Sequence, residues 1–285
     1  MKLSGGMLAF LSAILMGITM ALIEPISKIA GPLQLIVISQ LVAALIMLVS
    51  GKVNVNELMG KSKYQLVKLG VLRDFFARAL LVYGFMYSNT IRGTFVTRLE
   101  PVFVAIMAWL FLKNKLKKRD IGLIGLVVVG SIILSTNGDF SSFGEMQIGD
   151  GMIALSVFLF AYSYIIVKNI KKTETTTMTF AGNVYGGLLA LVVAVVVGTD
   201  FFVSLEGLGL ILTYAVLFNI VAMKLFYDAL EKIEAWKVGT ILSFMSVVAA
   251  GIAFVFYGQT LTTLQIGGAS IVLIASALVT YYSRK

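Results

Sequence analysis

Runs of about 20 apolar residues, the length that carries one helix across the hydrocarbon of a bilayer, recur ten times along this chain. They fall near residues 7–27, 33–50, 69–88, 93–112, 121–137, 151–168, 178–198, 208–227, 238–257 and 266–282. Lipid offers backbone groups no hydrogen-bond partners, so a lone apolar run crosses it as a helix. The pattern predicts an all-α integral membrane protein with ten transmembrane helices. The composition requires the same solvent: the 285 residues are 59% hydrophobic and 13% charged, against roughly 25% charge in soluble domains. The mean hydropathy is +0.97, and a soluble domain of this size keeps too much surface to hide so much apolar side chain. The first run is longer than the roughly 7–15 residues of a signal-peptide core, and no small-x-small cleavage site follows it, so it reads as the first span.

Several chemistries are closed by what the sequence lacks. It has no cysteine and no histidine, which removes thiol nucleophiles, thiolate metal sites and the commonest general base. No metal site or cofactor is implied. A net charge of +9 invites a nucleic-acid partner, but the charges sit in short loops between apolar runs, which excludes that reading. The connections carry turn formers: Gly31-Pro32, Gly51, Asn89, Asn137-Gly138 and Gly258. The longest, residues 137–150, is too short for a soluble domain.

Orientation follows from lysine and arginine, which accumulate on the cytoplasmic side of membrane proteins. With the N-terminus inside, the inner segments hold 17 basic residues, including Lys113, Lys115, Lys117, Lys118 and Arg119. The outer loops hold Lys28 and Arg92 beside the acids Asp139, Glu145, Asp150, Asp200 and Glu206. Both termini are expected in the cytoplasm of a multi-pass protein of the cell membrane. Trp109 and Trp236 then fall at the inner interface, where amphipathic rings are expected.

A weak internal repeat lies at a shift of 145. Residues 92–134 align without gaps on 237–279, with identities that include Ala108/Ala253, Phe111/Phe256, Leu116/Leu261 and Ile121-Gly122/Ile266-Gly267. Five helices per half is an odd number, so the second half must be upside down. Its copy of the basic loop, "GQTLTTLQ", faces outside and carries no charge, as inversion requires. The expected units are 1–137 and 149–285. Inverted repeats are a signature of secondary transporters, with a substrate site near the midplane between the repeats.

Ten spans in two halves, with "LEPVFVAIMAWLFL" followed by "IGLIGLVVVGSIIL", resemble the drug/metabolite transporter superfamily, EamA type. The resemblance covers essentially the whole chain. It rests on Glu100-Pro101, on Gly122, Gly125 and Gly130, and on Arg73 in "GVLRDFFARALLVYGFMYS". It implies membrane transport of a small metabolite, with amino acids as the prior. There are departures: Lys113-Asn114-Lys115-Leu116 stands where the family usually reads Gly-Glu-x-Leu, and Gly258-Gln259-Thr260-Leu261 is its second copy. Gln40 replaces an arginine common in helix two, and Ser246, opposite Pro101, replaces a proline. The resemblance also makes Tyr83, Tyr87, Tyr162, Tyr185 and Tyr214 candidates for an aromatic cavity wall.

Charges inside the spans cost roughly 2.5–3.5 kcal/mol or more each, and so mark ion pairs or pathways. Asp74 and Arg78, four apart in the third run, are on one face and read as a pair. Arg73 lies about 140° round an ideal helix from Arg78. It needs another partner, or it snorkels to the interface. Lys224 and Asp228 repeat the four-residue spacing. Asn219 aligns with Asp74 at the shift of 145, and an amide there either binds substrate or links helices. Arg98 and Glu100, two apart and about 200° round the helix, cannot pair with each other. Between them and the helix body, Pro101 deprives the Thr97 carbonyl of its partner and predicts a kink. Either they form interhelix ion pairs, or Arg98 attracts an anionic group while Glu100 takes a cation or a proton. Glu24-Pro25 repeats the acid-proline pair near the interface.

With no G-x-x-x-x-G-K-[ST] phosphate loop, ATP hydrolysis is excluded as a direct drive. The sequence therefore predicts a secondary-active exporter of small metabolites such as amino acids, with the lipid bilayer and protons as partners and Glu100 as first candidate for the proton. Alternatives are an exchanger without proton coupling, a passive channel or a structural membrane protein. An intramembrane enzyme is disfavoured, because no aspartate pair lies in the spans and Lys224 is the only deep lysine.

Overall fold

A computed structural model describes residues 3–27, 29–88, 90–141, 147–258 and 260–283. The expectations that fall on Lys2, Lys28, Asn89, Glu145, Gln259, Arg284 and Lys285, and on the side chain of Glu24, lie outside the described residues. The described chain is helical, without strands.

We number the spans α1 to α10. They are α1 Gly5–Ser27, α2 Pro32–Val49, α3 (Lys63–Lys68, Leu69–Ala77 and Arg78–Met86), α4 (Thr90–Thr97 and Glu100–Leu112) and α5 Lys118–Thr136. The second half holds α6 Ile148–Asn169, α7 Thr175–Val197, α8 (Leu205–Tyr214, Ala215–Ala222 and Met223–Lys232), α9 (Ala235–Leu242 and Met245–Tyr257) and α10 Thr263–Tyr282. Nine of them are long and apolar enough to cross a membrane. The exception is α3, which carries Arg73, Asp74 and Arg78 in its middle.

Local chemistry sets the ends. Pro32 opens α2, where its missing N–H is no loss. At α10 the Thr262 hydroxyl accepts from the Gln265 amide at 3.2 Å, and Gln265 Oε1 accepts from the Thr262 amide at 3.1 Å, which is a capping box. Left-handed residues close α4, α5, α7 and α9: Lys113 at φ 54°, Asn137 at φ 52°, Gly198 at φ 75° and Gly258 at φ 65°.

The shift of 145 that aligns the sequences also aligns the geometry. Thr90–Thr97 maps onto Ala235–Leu242, and Glu100–Leu112 onto Met245–Tyr257, so α4 and α9 break at equivalent places, 98–99 and 243–244. The left-handed caps Lys113 and Gly258 are equivalent as well. A π-helical stretch interrupts α3 at Leu69–Ala77 and α8 at Ala215–Ala222, again equivalent within a residue. The break at 243–244 forms although Ser246 stands opposite Pro101, so proline is not its sole cause.

Packing follows the same symmetry. The equivalent helices α5 and α10 pack on each other, as do α2 and α7. Backbones touch where α5 meets α10: a Cβ at Gly130 would lie 2.9 Å from the Gly268 carbonyl oxygen, and one at Gly268 2.7 Å from that of Gly130. The first helix of each half packs on the third and fourth of the other, α1 on α8 and α9, and α6 on α3 and α4. Serines seal this exchange. Ser12 of α1 donates to the Ala222 carbonyl, and Ser156 of α6 to the Ala77 carbonyl, each at 2.8 Å. Both carbonyls end a π stretch, where the i→i+4 ladder is interrupted. Residues such as Val49, Phe111, Val196 and Phe256 leave an apolar outer surface, suited to lipid.

Candidate functional site

The π stretch of α3 shapes the larger polar cluster. Its wider turn brings residues five apart onto one face, so Arg73 and Arg78 both reach Asp74 Oδ1, at 3.5 Å and 3.3 Å. The expected Asp74–Arg78 pair is present. Of the two courses expected for Arg73, another partner or snorkelling, it takes the first and is 6% exposed. Its Nε donates to Ser163 Oγ at 3.1 Å and its Nη1 to Met223 Sδ at 3.0 Å. The guanidinium lies 4.8 Å from the Phe226 ring centre. The ideal-helix angle misplaced it because the helix is not ideal there.

Arg78 Nη1 donates to Asn219 Oδ1 at 2.8 Å. Asn219 thus joins α3 to α8, and its carbonyl accepts from Asn183 Nδ2 at 3.1 Å. Gln40 Nε2 donates to the Asp74 carbonyl at 2.6 Å. Close approach of α7 is permitted by Gly182 and Gly186: a Cβ at Gly186 would lie 2.8 Å from both Asp74 Cβ and Gln40 Oε1. Asp74 Oδ2, Gln40 Oε1 and Asn219 Nδ2 are buried without a hydrogen-bond partner among the described residues. One carboxylate serving two arginines leaves this trio one charge positive.

The break in α4 holds the second group. Arg98 and Glu100 turn to opposite sides, as their spacing requires. Glu100 Oε1 accepts from the Tyr164 hydroxyl at 3.0 Å. Tyr164 meets Phe226 edge-on at 4.9 Å, and the same Phe226 faces Arg73, so an aromatic bridge joins the two groups. Pro101 is buried at the start of the second segment of α4. Arg98 Nε donates to Ser135 Oγ at 2.9 Å, and Arg98 lines a cavity of about 310 Å³ with Ser135, Ser246, Ala253, Tyr257 and Gln265. This cavity lies among α1, α4, α5, α9 and α10, towards the end opposite the basic loop 113–119.

A second cavity of about 460 Å³, at the basic end, is lined by Lys172, Glu174, Thr175, Lys224 and Glu231 among others. Lys224 Nζ pairs with Asp228 at 2.7 Å, as the spacing predicts, and Thr175 donates to the same carboxylate.

Other candidates are not gathered at these sites. Tyr83 packs half-buried between α2 and α7, Tyr87 is 57% exposed, and Tyr162 and Tyr185 pack against the main core. Tyr214 is buried and stacks on Phe218 at 5.1 Å. None of the five lines either cavity. Trp109 is 59% exposed, whereas Trp236, at the start of α9, is 2% exposed and covered by neighbouring helices. Arg92 and Asp150, read from sequence as loop residues, form a buried pair at 3.2 Å, with Ser88 donating to Asp150. Sequence reasoning missed Tyr164, Ser163, Ser135 and Asn183. A lone hydroxyl or amide in a span gives little signal. Among the described residues no group of acidic side chains could hold a metal ion.

Two stretches of the chain, 3–136 and 147–281, match the EamA-like transporter family. An uncharacterized transporter of Methanothermobacter thermautotrophicus (strain Delta H) is 22% identical over 223 residues, which is 77% of this chain and 65% of that protein. The uncharacterized transporter YyaM of Bacillus subtilis (strain 168) is 24% identical over 221 residues, 75% of this chain and 72% of that one. A protein chain solved by crystallography shares the fold with a TM-score of 0.83 at 11% identity, with 98% of this chain and 97% of that chain covered. With ten helices, two family matches and one geometry repeated in both halves, this multi-pass membrane protein belongs to the EamA-like transporter family.

Proposed function

We propose that the protein is a secondary-active exporter of small metabolites such as amino acids, working by alternating access between the halves 1–137 and 149–285. The observation that carries this reading is the break in α4, which places Arg98 on a cavity wall and Glu100 on the opposite side, against Tyr164. Broken helices at a repeat interface are where carriers of inverted topology bind their cargo. The basic loops are assigned to the cytoplasm of the cell membrane, so the cavity opens outward. Glu100 is assigned the proton, and the cluster of Arg73, Asp74, Arg78, Asn219 and Gln40 closes the inner side. Breaking such a buried network and remaking it as the halves rock gives two discrete states, which a carrier needs.

Exchange without proton coupling is the second reading, and the Tyr164 hydroxyl favours it, because Glu100 Oε1 already has a fixed partner there and can serve as a link between α4 and α6. Proteoliposomes loaded with a metabolite mixture separate the two. Under proton coupling, an imposed pH gradient accelerates wild-type efflux, and Glu100→Gln loses that acceleration. If Glu100→Gln responds to the gradient as wild type does, the proton assignment fails.

A further inference from the structure

We infer that the 310 Å³ cavity binds the carboxylate of a small monoanionic organic acid on the free edge of Arg98. The inference deepens the carrier reading and rests on it for the claim that this ligand is the cargo.

The donor inventory of the cavity comes first. Ser246 donates to the Ser243 carbonyl at 2.6 Å, Tyr257 to the Ala21 carbonyl at 2.8 Å, and Gln265 Nε2 to the Leu134 carbonyl at 3.2 Å. The Ser246 and Tyr257 hydroxyl hydrogens are spent inside the protein, and Gln265 keeps one of its two amide hydrogens. Arg98 spends only Nε, on Ser135. Its two terminal nitrogens have no hydrogen bond or ion pair among the described residues. An arginine held by Nε presents Nη1 and Nη2 as a fixed fork, the geometry that binds a carboxylate bidentately. Ser135 thus acts as the positioning residue for that fork.

Charge then selects the class. No described lining residue is a carboxylate. Glu100 interacts with Arg98 electrostatically but does not line the cavity, so at the cavity wall the arginine presents one positive charge, which one negative charge matches. A phosphate dianion would bring a second, unbalanced charge into a low-dielectric wall. A cationic solute would meet the arginine directly. The remaining wall, with Met20, Leu134, Ala249 and Ala253, fits a short apolar body, and the volume sits at the small end of the roughly 300–1,000 Å³ of ligand pockets. The site is single. The position equivalent to Arg98 in the second half is Ser243, so the repeat does not duplicate it.

The test uses the purified full chain and reads thermal unfolding with matched probes: lactate against lactamide, phenylacetate against phenylacetamide, N-acetylleucine against N-acetylleucinamide, with succinate and inorganic phosphate as dianions. At least one monoacid is expected to stabilise wild type at concentrations tenfold or more below its amide, and to outperform both dianions. Arg98→Gln should erase the acid-over-amide preference. Arg98→Lys, which keeps the charge but loses the fork, should reduce it at least threefold, and this variant serves if Arg98→Gln does not fold. No preference in wild type, or a preference that survives both substitutions, overturns the inference. Counterflow in proteoliposomes with the same probes separates the two layers. An acid that binds through Arg98 but is not carried sinks the carrier reading alone. Transport that treats acid and amide alike sinks the carboxylate site alone.

Discussion

The helix breaks at 98–99 in α4 and at 243–244 in α9 are one geometry carrying two chemistries. Both follow a segment of eight residues, and both lead into a segment of 13 residues that ends on a left-handed cap. The first break is flanked by Arg98, Glu100 and Pro101; its equivalents are Ser243, Met245 and Ser246. In the same way, Asp74 with its two arginines faces Asn219, its own equivalent, across the interface between the halves. The repeat therefore sets where helices bend, and the differences between repeats set where charge is placed. Function is to be sought in the asymmetry.

That comparison is broken most forcefully at Asp74. Asp74→Ala leaves Arg73 and Arg78 buried without their carboxylate, and losing one partner of a buried pair costs about 3–5 kcal/mol. Asn219→Ala, at the equivalent position, removes one hydrogen bond to a charged group and should cost about 1.5–3 kcal/mol. Unfolding in detergent, followed by circular dichroism, ranks the two. Equal losses would mean that the charges are no more important to the fold than the amide.

The serine seals sharpen the symmetric side of the comparison. Ser12→Ala and Ser156→Ala each remove the hydroxyl donor to one carbonyl at the end of a π stretch, at about 0.5–1.5 kcal/mol. Their losses should match within about 0.5 kcal/mol, the usual margin for independent sites. A larger disparity would show that the two π stretches are not energetically equivalent.

The caps give effects of similar size, one of them of opposite sign. Lys113 holds a left-handed conformation that disfavours a side chain by about 1–2 kcal/mol, while Gly258 adopts it freely. Lys113→Gly should raise stability by about 1 kcal/mol, and Gly258→Lys should lower it by a similar amount. If Lys113→Gly destabilises, the lysine side chain is anchored at the membrane surface by more than its backbone strain.

How much of this was legible in the sequence depends on which physical rule each residue obeys. Apolar run length located all ten helices, including α3, whose charges hide it from a hydropathy threshold. The shift of 145 found in residues 92–134 carried over to helix ends, π stretches and breaks that no residue identity marks. Spacing found the Asp74–Arg78 and Lys224–Asp228 pairs and separated Arg98 from Glu100, because neighbours on a helix are set by local geometry. It failed for Arg73, where the π turn replaces the α turn. It also missed Tyr164 and Ser135, which reach their partners from 64 and 37 residues away. The burial of Trp236 and of the Arg92–Asp150 pair was missed for a related reason: a position near a span's end does not tell whether a neighbouring helix covers it.

Alternating access requires equivalent helices to exchange conformation, and a chain without cysteine allows that to be read directly. Ala253, on the wall of the cavity, and Ala108, fully buried, are equivalent positions of α9 and α4. Single variants Ala253→Cys and Ala108→Cys would be labelled in proteoliposomes by a membrane-impermeant maleimide, added from either face under pH gradients of either sign. Alternating access predicts that Ala253→Cys labels from the face opposite the basic loops. As the reversed gradient suppresses that labelling, Ala108→Cys should become reactive from the basic face. Simultaneous labelling of Ala253→Cys from both faces, or an Ala108→Cys that stays protected under every gradient while Ala253→Cys does not change, would contradict it.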